Sequence, residues 1–201
     1  MTWIGFFRFS ILLKRKVDEM SGPSCEVPAR SEAEIFKLAA TVRSDLKITA
    51  DAFPIIEFLE LGMPQFFDGF ALEVGTMAQM GSNHGLTIPS ENVIRLREDV
   101  YERCCDGQGR DRFTAAHELG HYLMHRNAPI KFHRAEQGRL PAYLDSEWQA
   151  NRFAGAILMP ESLMRECNTL FDVMRRFGVS YDAASYQNRV LAKKGKMIIL
   201  N

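Results

Sequence analysis

Residues 110–126 read RDRFTAAHELGHYLMHR, and 117–121 within them spell HELGH, an instance of HExxH. Apolar and small residues recur here at helical spacing, with Phe113, Ala116, Gly120 and Met124 on the same stripe as His117 and His121. Residues four apart on a helix lie one above the other, so two imidazoles at that spacing reach a single metal ion. Glu118 projects beside them as a candidate general base. Two neutral nitrogen ligands plus a base is the set that zinc-dependent peptide hydrolysis needs. Two rings on an inward face without partners would each cost about 1–3 kcal/mol, and one metal ion satisfies both.

A catalytic zinc takes three protein ligands and keeps one position open. The long motif HExxHxxGxxH requires glycine at 124 and histidine at 127, and this chain has Met124 and Asn127. The other pattern draws a carboxylate from a later helix. Residues 146–158 read SEWQANRFAGAIL, where Ser146 and Gln149 have capping-box spacing. Ala150, Phe153, Ala154, Ile157 and Leu158 make a buried stripe that ends at Met159-Pro160. Glu147 stands at the margin of that stripe. By spacing it is either a first-turn residue favoured by the helix dipole or a ligand aimed inward, with Asp145 as the competing carboxylate. Imidazole and carboxylate ligands accept several divalent ions, so spacing alone does not select the metal.

Outward from this pair of helices, Ser31 and Glu34 form a capping box that starts a helix near 31–44, and Pro54 opens a short one at 54–61 that Gly62 ends. Short apolar runs broken by glycine and proline across 66–97 predict about three strands in a small sheet, closed by a loop at 107–109. The loop has neither GxxxxGK[ST] nor GxGxxG, which excludes the usual phosphate-binding signatures. A polar, glycine-containing loop covers roughly 127–145, and further helices are predicted near 161–177 and 180–193. Residues 3–13 are apolar but too short to span a membrane. The basic run at 14–16 follows them, whereas a secretory signal carries its charge first. The reading divides the chain into a leader at 1–27, a main domain at 28–160 and a helical extension at 161–201.

The 201 residues carry 25 basic and 25 acidic side chains and are 46% hydrophobic, which gives no bulk-charge reason to expect nucleic-acid or membrane binding. Arg175, Arg176 and Arg189 sit among Asp172 and Asp182, a solvated helical face rather than a basic recognition stripe. The four cysteines form no CxxC pair, which fits a reducing cytoplasm. Nothing in the sequence sets the oligomeric state.

RDRFTAAHELGHYLMH at 110–125, followed by EWQANRFAGAILMP at 147–160, resembles the ImmA/IrrE family of metallopeptidases. The likeness is looser over the rest of 30–192 and does not include the leader. It implies an α+β, zincin-like minimal domain, with a small sheet packed on the HExxH helix and a following helix that bears the third ligand. It assigns one zinc ion to His117, His121 and Glu147 and the general base to Glu118. It implies a cytoplasmic endopeptidase whose substrate is a DNA-binding helix-turn-helix repressor. The rival reading is a metal-binding regulatory or toxin–antitoxin-type protein with little peptidase activity. Asn151 is placed to orient a ligand or to make a structural hydrogen bond. His125 is expected at the helix C-terminus, facing the dipole, or behind a metal ligand as Asn151 is. His125, His133 and Tyr143 are the candidates to stabilise an oxyanion, and a strand at 84–89 offers an edge for an extended substrate.

Overall fold

Ser31 starts the first helix as its spacing requires. In α1 (Glu32–Asp45) the Ser31 hydroxyl accepts from the Glu34 N–H, and the Glu34 carboxylate accepts from the Ser31 N–H at 2.7 Å. The buried side of α1 carries Ile35, Ala39 and Arg43. Arg43 is tolerated there because its guanidinium donates to the carbonyls of Ala50 and Ile157. The structure, a computed structural model, describes residues 24–132, 140–193 and 195. Most of the expected leader, residues 1–23, lies outside the described residues, as do 133–139 of the predicted loop. Cys25–Glu26 form β1, which pairs antiparallel with β5 (Lys131–Phe132).

The short helix expected at 54–61 does not end at Gly62. The turn α2 (Ile55–Glu57) runs through a π-helical segment (Phe58–Gly62) into α3 (Met63–Phe66). The Met63 N–H reaches back five residues to the Phe58 carbonyl. That widening fits Pro64, which has no N–H to donate and whose ring would strike the carbonyl four residues back. Gly62 serves space rather than termination, since a Cβ there would lie 2.4 Å from the Phe58 ring.

Three short strands follow, as predicted: β2 (Ala71–Gly75), β3 (Gly85–Ile88) and β4 (Val93–Arg97), in the order β2-β4-β3. β2 runs parallel to β4, while β3 is antiparallel to it, with Gly85 opposite Leu96 and Ile88 opposite Val93. Phe66-Phe67 belongs to the end of α3 rather than to a strand. Two helices went unread in the sequence. One is α4 (Met77–Met80), capped by Thr76 and Gln79, and the other is α5 (Glu98–Cys105), which buries Val100 and Cys104. The mixed sheet lies against the long helix α6 (Gly109–His125), and α6 packs most extensively on α7 (Ser146–Leu158).

The cap of α7 is Asp145, not Ser146. The Asp145 carboxylate accepts from the N–H groups of Glu147 and Trp148. Ser146 turns inward and its hydroxyl accepts from Cys25 N–H. The helix predicted at 161–177 divides into α8 (Glu161–Met164) and α9 (Leu170–Phe177), because Thr169 and Asp172 form a new capping box, and α10 (Tyr181–Ala192) completes the described chain. One hydrophobic cluster includes Ile35, Leu59, Ile94, Leu119, Tyr122, Phe153, Phe177 and Leu191, so helices from both ends of the described chain share a core with α6 and α7. No helix among the described residues is long and apolar enough to cross a membrane. The fold is α+β.

Gly120, between the two histidines, sets how near α7 comes. A Cβ there would lie 3.1 Å from the Phe153 ring and 3.3 Å from the backbone of Ala150. Gly120→Val is therefore expected to wedge the helices apart and lower stability by about 3 kcal/mol, the upper part of the usual range for overpacking. Urea unfolding checks it, and a loss of only a few tenths would show that the two helices have room to spare.

Candidate metal centre

His117 and His121 project from successive turns of α6 onto the face that α7 covers. Their Nε2 atoms lie 2.9 Å apart. Glu147, in the first turn of α7, places Oε2 3.2 Å from His117 Nε2 and Oε1 3.2 Å from His121 Nε2. With metal–ligand bonds of about 2.0–2.2 Å, ligands around a tetrahedral ion stand roughly 3.3 Å from one another, so these separations suit one zinc ion. A further sign of fit is that Glu147 Oε1 is buried with no hydrogen bond to it. Among the described residues, His117, His121 and Glu147 are the group of histidine, cysteine and acid side chains able to hold a metal ion. Asp145, the competing carboxylate, is committed to capping α7 and to the Ser24 hydroxyl.

The electrostatics of the trio favour positive charge at its centre. Burial works against the charged form of Glu147, but hydrogen bonding to His117 foremost outweighs it and holds its pKa down at about 2. Burial likewise disfavours a charged His117, and there Glu147 and Glu118 outweigh it and raise the pKa above its ordinary value. A cation between these groups meets one ionised carboxylate and two imidazoles.

Each ring has a partner on its other nitrogen. His117 Nδ1 lies 3.1 Å from Asn151 Oδ1, so Glu147 and Asn151, one turn apart on α7, meet the same imidazole at its two ends. His121 Nδ1 lies 3.2 Å from His125 Nδ1, and His125 Nε2 lies 3.0 Å from Gln149 Oε1. His125 ends α6 as expected, and its ring stands behind His121. The packing of α7 encloses it, and burial pushes its pKa down to about 3, which keeps the ring neutral.

Glu118 turns from α6 toward the edge strand β3, beside the histidines, and is 2% exposed. Its Oε2 lies 2.8 Å from the Thr87 hydroxyl, which donates to it. Gly85 makes the space, since a Cβ there would come 2.7 Å from Glu118 Cγ and 2.9 Å from Oε1. Sequence reading missed both residues. The glycine and the β-branched threonine were visible as strand and turn signals, but only the register of β3 over α6 shows what they touch. Of the residues considered for an oxyanion, His125 is enclosed behind His121. Tyr143 is 52% exposed and its carbonyl accepts from Arg30 and Gln149. His133 lies outside the described residues.

Two imidazoles and a carboxylate converging from successive helices, with a second carboxylate beside them, is the arrangement typical of zinc metallopeptidases. No curated protein matches the chain. Among solved structures it is similar to a Mycobacterium tuberculosis transcriptional regulator, at 16% identity and a TM-score of 0.50. That match covers 77% of this chain and 46% of the other, so this chain spans about half the length of that relative and shares a fold with it. The model of the IrrE N-terminal-like domain, a peptidase domain of class M78, matches residues 76–188. That stretch is more than half of the chain and holds both histidines, both glutamates and the edge strand, and the chain belongs to the IrrE N-terminal-like family of peptidases.

Proposed function

We propose that this protein is a zinc-dependent endopeptidase that cuts a helix-turn-helix transcriptional repressor at a defined site, in the cytoplasm. The observation that carries the peptidase reading is the convergence of His117, His121 and Glu147 within ligand distance while Glu118 is held apart by Thr87. His117, His121 and Glu147 would hold a zinc ion, which would supply Lewis acidity toward a substrate carbonyl and water. Glu118 takes the proton released as water attacks the carbonyl carbon and returns it to the departing amide nitrogen. The Thr87 hydroxyl keeps the Glu118 carboxylate in one orientation throughout.

An extended peptide has a place to lie. β3 is an edge of its sheet and passes directly over Glu118, so a substrate strand added there brings its backbone to the acid. A groove of about 550 Å³ between α6 and α10, lined by Phe113, Thr114, Asn151, Ala183 and Tyr186, starts at the residue that touches His117 and gives flanking side chains a seat. The repressor as substrate rests on the resemblance of 110–160 to the ImmA/IrrE family and on the regulatory role named for the mycobacterial relative. The four cysteines are free thiols, three of them buried, which fits a reducing compartment.

The test is incubation with any helix-turn-helix protein encoded beside this gene, read by mass spectrometry. The expected result is one discrete cut that disappears with a chelator and returns with added zinc. Cleavage that persists in chelator, or an intact partner alongside zinc-loaded protein, sinks the proposal.

A further inference from the structure

We infer that Gln149 is a positioning residue: through His125 it sets which nitrogen of His121 carries a proton and so keeps His121 Nε2 bare for metal. The inference rests on the proposed ligand role of His121 and concerns the chain's own hydrogen bonds.

The direction of the relay is fixed at its far end. Gln149 Nε2 lies 3.0 Å from the Pro28 carbonyl and 2.8 Å from the Tyr143 carbonyl. Carbonyl oxygens only accept, so the amide nitrogen must face them, and turning the amide over would set three oxygens against one another. Oε1 is thereby aimed at His125 Nε2, 3.0 Å away. Oε1 also only accepts, so His125 Nε2 carries the hydrogen. The nitrogens of His125 face an amide oxygen and another imidazole rather than an acid, and the ring is 1% exposed, so the neutral form is favoured. Its Nδ1 is then bare and accepts from His121 Nδ1 at 3.2 Å. A neutral His121 protonated at Nδ1 has its lone pair on Nε2, the atom that faces His117 and Glu147. Metal ligation requires that bare nitrogen.

Gln149 and His121 are fully buried, so water does not offer any of these groups an alternative partner. The anchor is itself held. Val27 N–H donates to the Leu144 carbonyl and Arg30 N–H to that of Tyr143, which ties the segment after β1 to the turn before α7. The spacing of Ser146 and Gln149 fits a capping box, yet Asp145 takes the cap and leaves the Gln149 amide to the relay.

The experiment uses metal-free, nitrogen-15 histidine-labelled protein near pH 7, with two-bond proton–nitrogen correlation spectra that report which ring nitrogen is protonated. The expected pattern is His121 protonated at Nδ1 and His125 at Nε2. In Gln149→Leu both rings should lose their single tautomer. The zinc dissociation constant, measured by chelator competition, should rise about 10- to 100-fold, as when a partner behind a ligand is removed. His121 protonated at Nε2 in the parent protein overturns the inference, and so does a Gln149→Leu protein that keeps the parent tautomers and zinc affinity within about twofold. If the variant does not fold, the parent spectrum still decides. Addition of zinc separates the two readings, because His121 signals that stay unmoved refute its ligand role whatever its tautomer.

Discussion

Glu118→Gln is expected to bind zinc as tightly as the parent chain and to cut its substrate about a thousand times more slowly, in the middle of the range that a general base contributes. The substitution keeps the shape of the side chain, so it still fits beneath Gly85, and the Thr87 hydroxyl can donate to the amide oxygen as it does to the carboxylate. What goes is the ability to take a proton, and a thousandfold loss corresponds to about 4 kcal/mol of transition-state stabilisation. Zinc affinity should hold because Glu118 is not one of the converging ligands. Metal content by atomic absorption and cleavage by mass spectrometry check both halves. A variant that cleaves at the parent rate removes Glu118 from the chemistry, and one that loses zinc as well shows that its role is to hold the centre.

The parts of the site legible in the sequence are those set within one helix. HExxH places two imidazoles on one face of α6 by geometry alone, and no tertiary contact is needed to read it. Glu147 is a different matter. Spacing left it level with the dipole-favoured alternative, and only the resemblance to a peptidase family selected it. The reason is now physical: its position depends on how closely α7 approaches α6, which depends on the missing side chain at Gly120. The residues that went unread share that property. Thr87 and Gly85 act through the register of β3 over α6, and Gln149 acts through carbonyls more than a hundred positions away and six positions away at once. The errors in the fold are local competitions that short-range rules do not decide. Asp145 and Ser146 are both good caps, and the one that faces Cys25 N–H turned inward. Gly62 reads as a stop, yet a π turn carries the helix past it and through Pro64.

Glu147→Ala separates the ligand role from the base role in the opposite sense to Glu118→Gln. It removes one of three converging donors, a larger change than loss of a partner behind a ligand, so zinc affinity should fall by more than about 100-fold. The consequence for stability follows from mass action. Zinc at about 100 times the parent dissociation constant stabilises the parent by about 2.7 kcal/mol; with affinity 100-fold weaker the same zinc contributes only about 0.4 kcal/mol. The quantity to measure is the difference between zinc-loaded and metal-free unfolding for each protein. Any change that the substitution makes to the stability of the metal-free fold cancels in it. Glu118→Gln should keep the full increment and Glu147→Ala almost none. If Glu147→Ala keeps it too, the ion is held without α7, and the close approach at Gly120 serves packing rather than the metal.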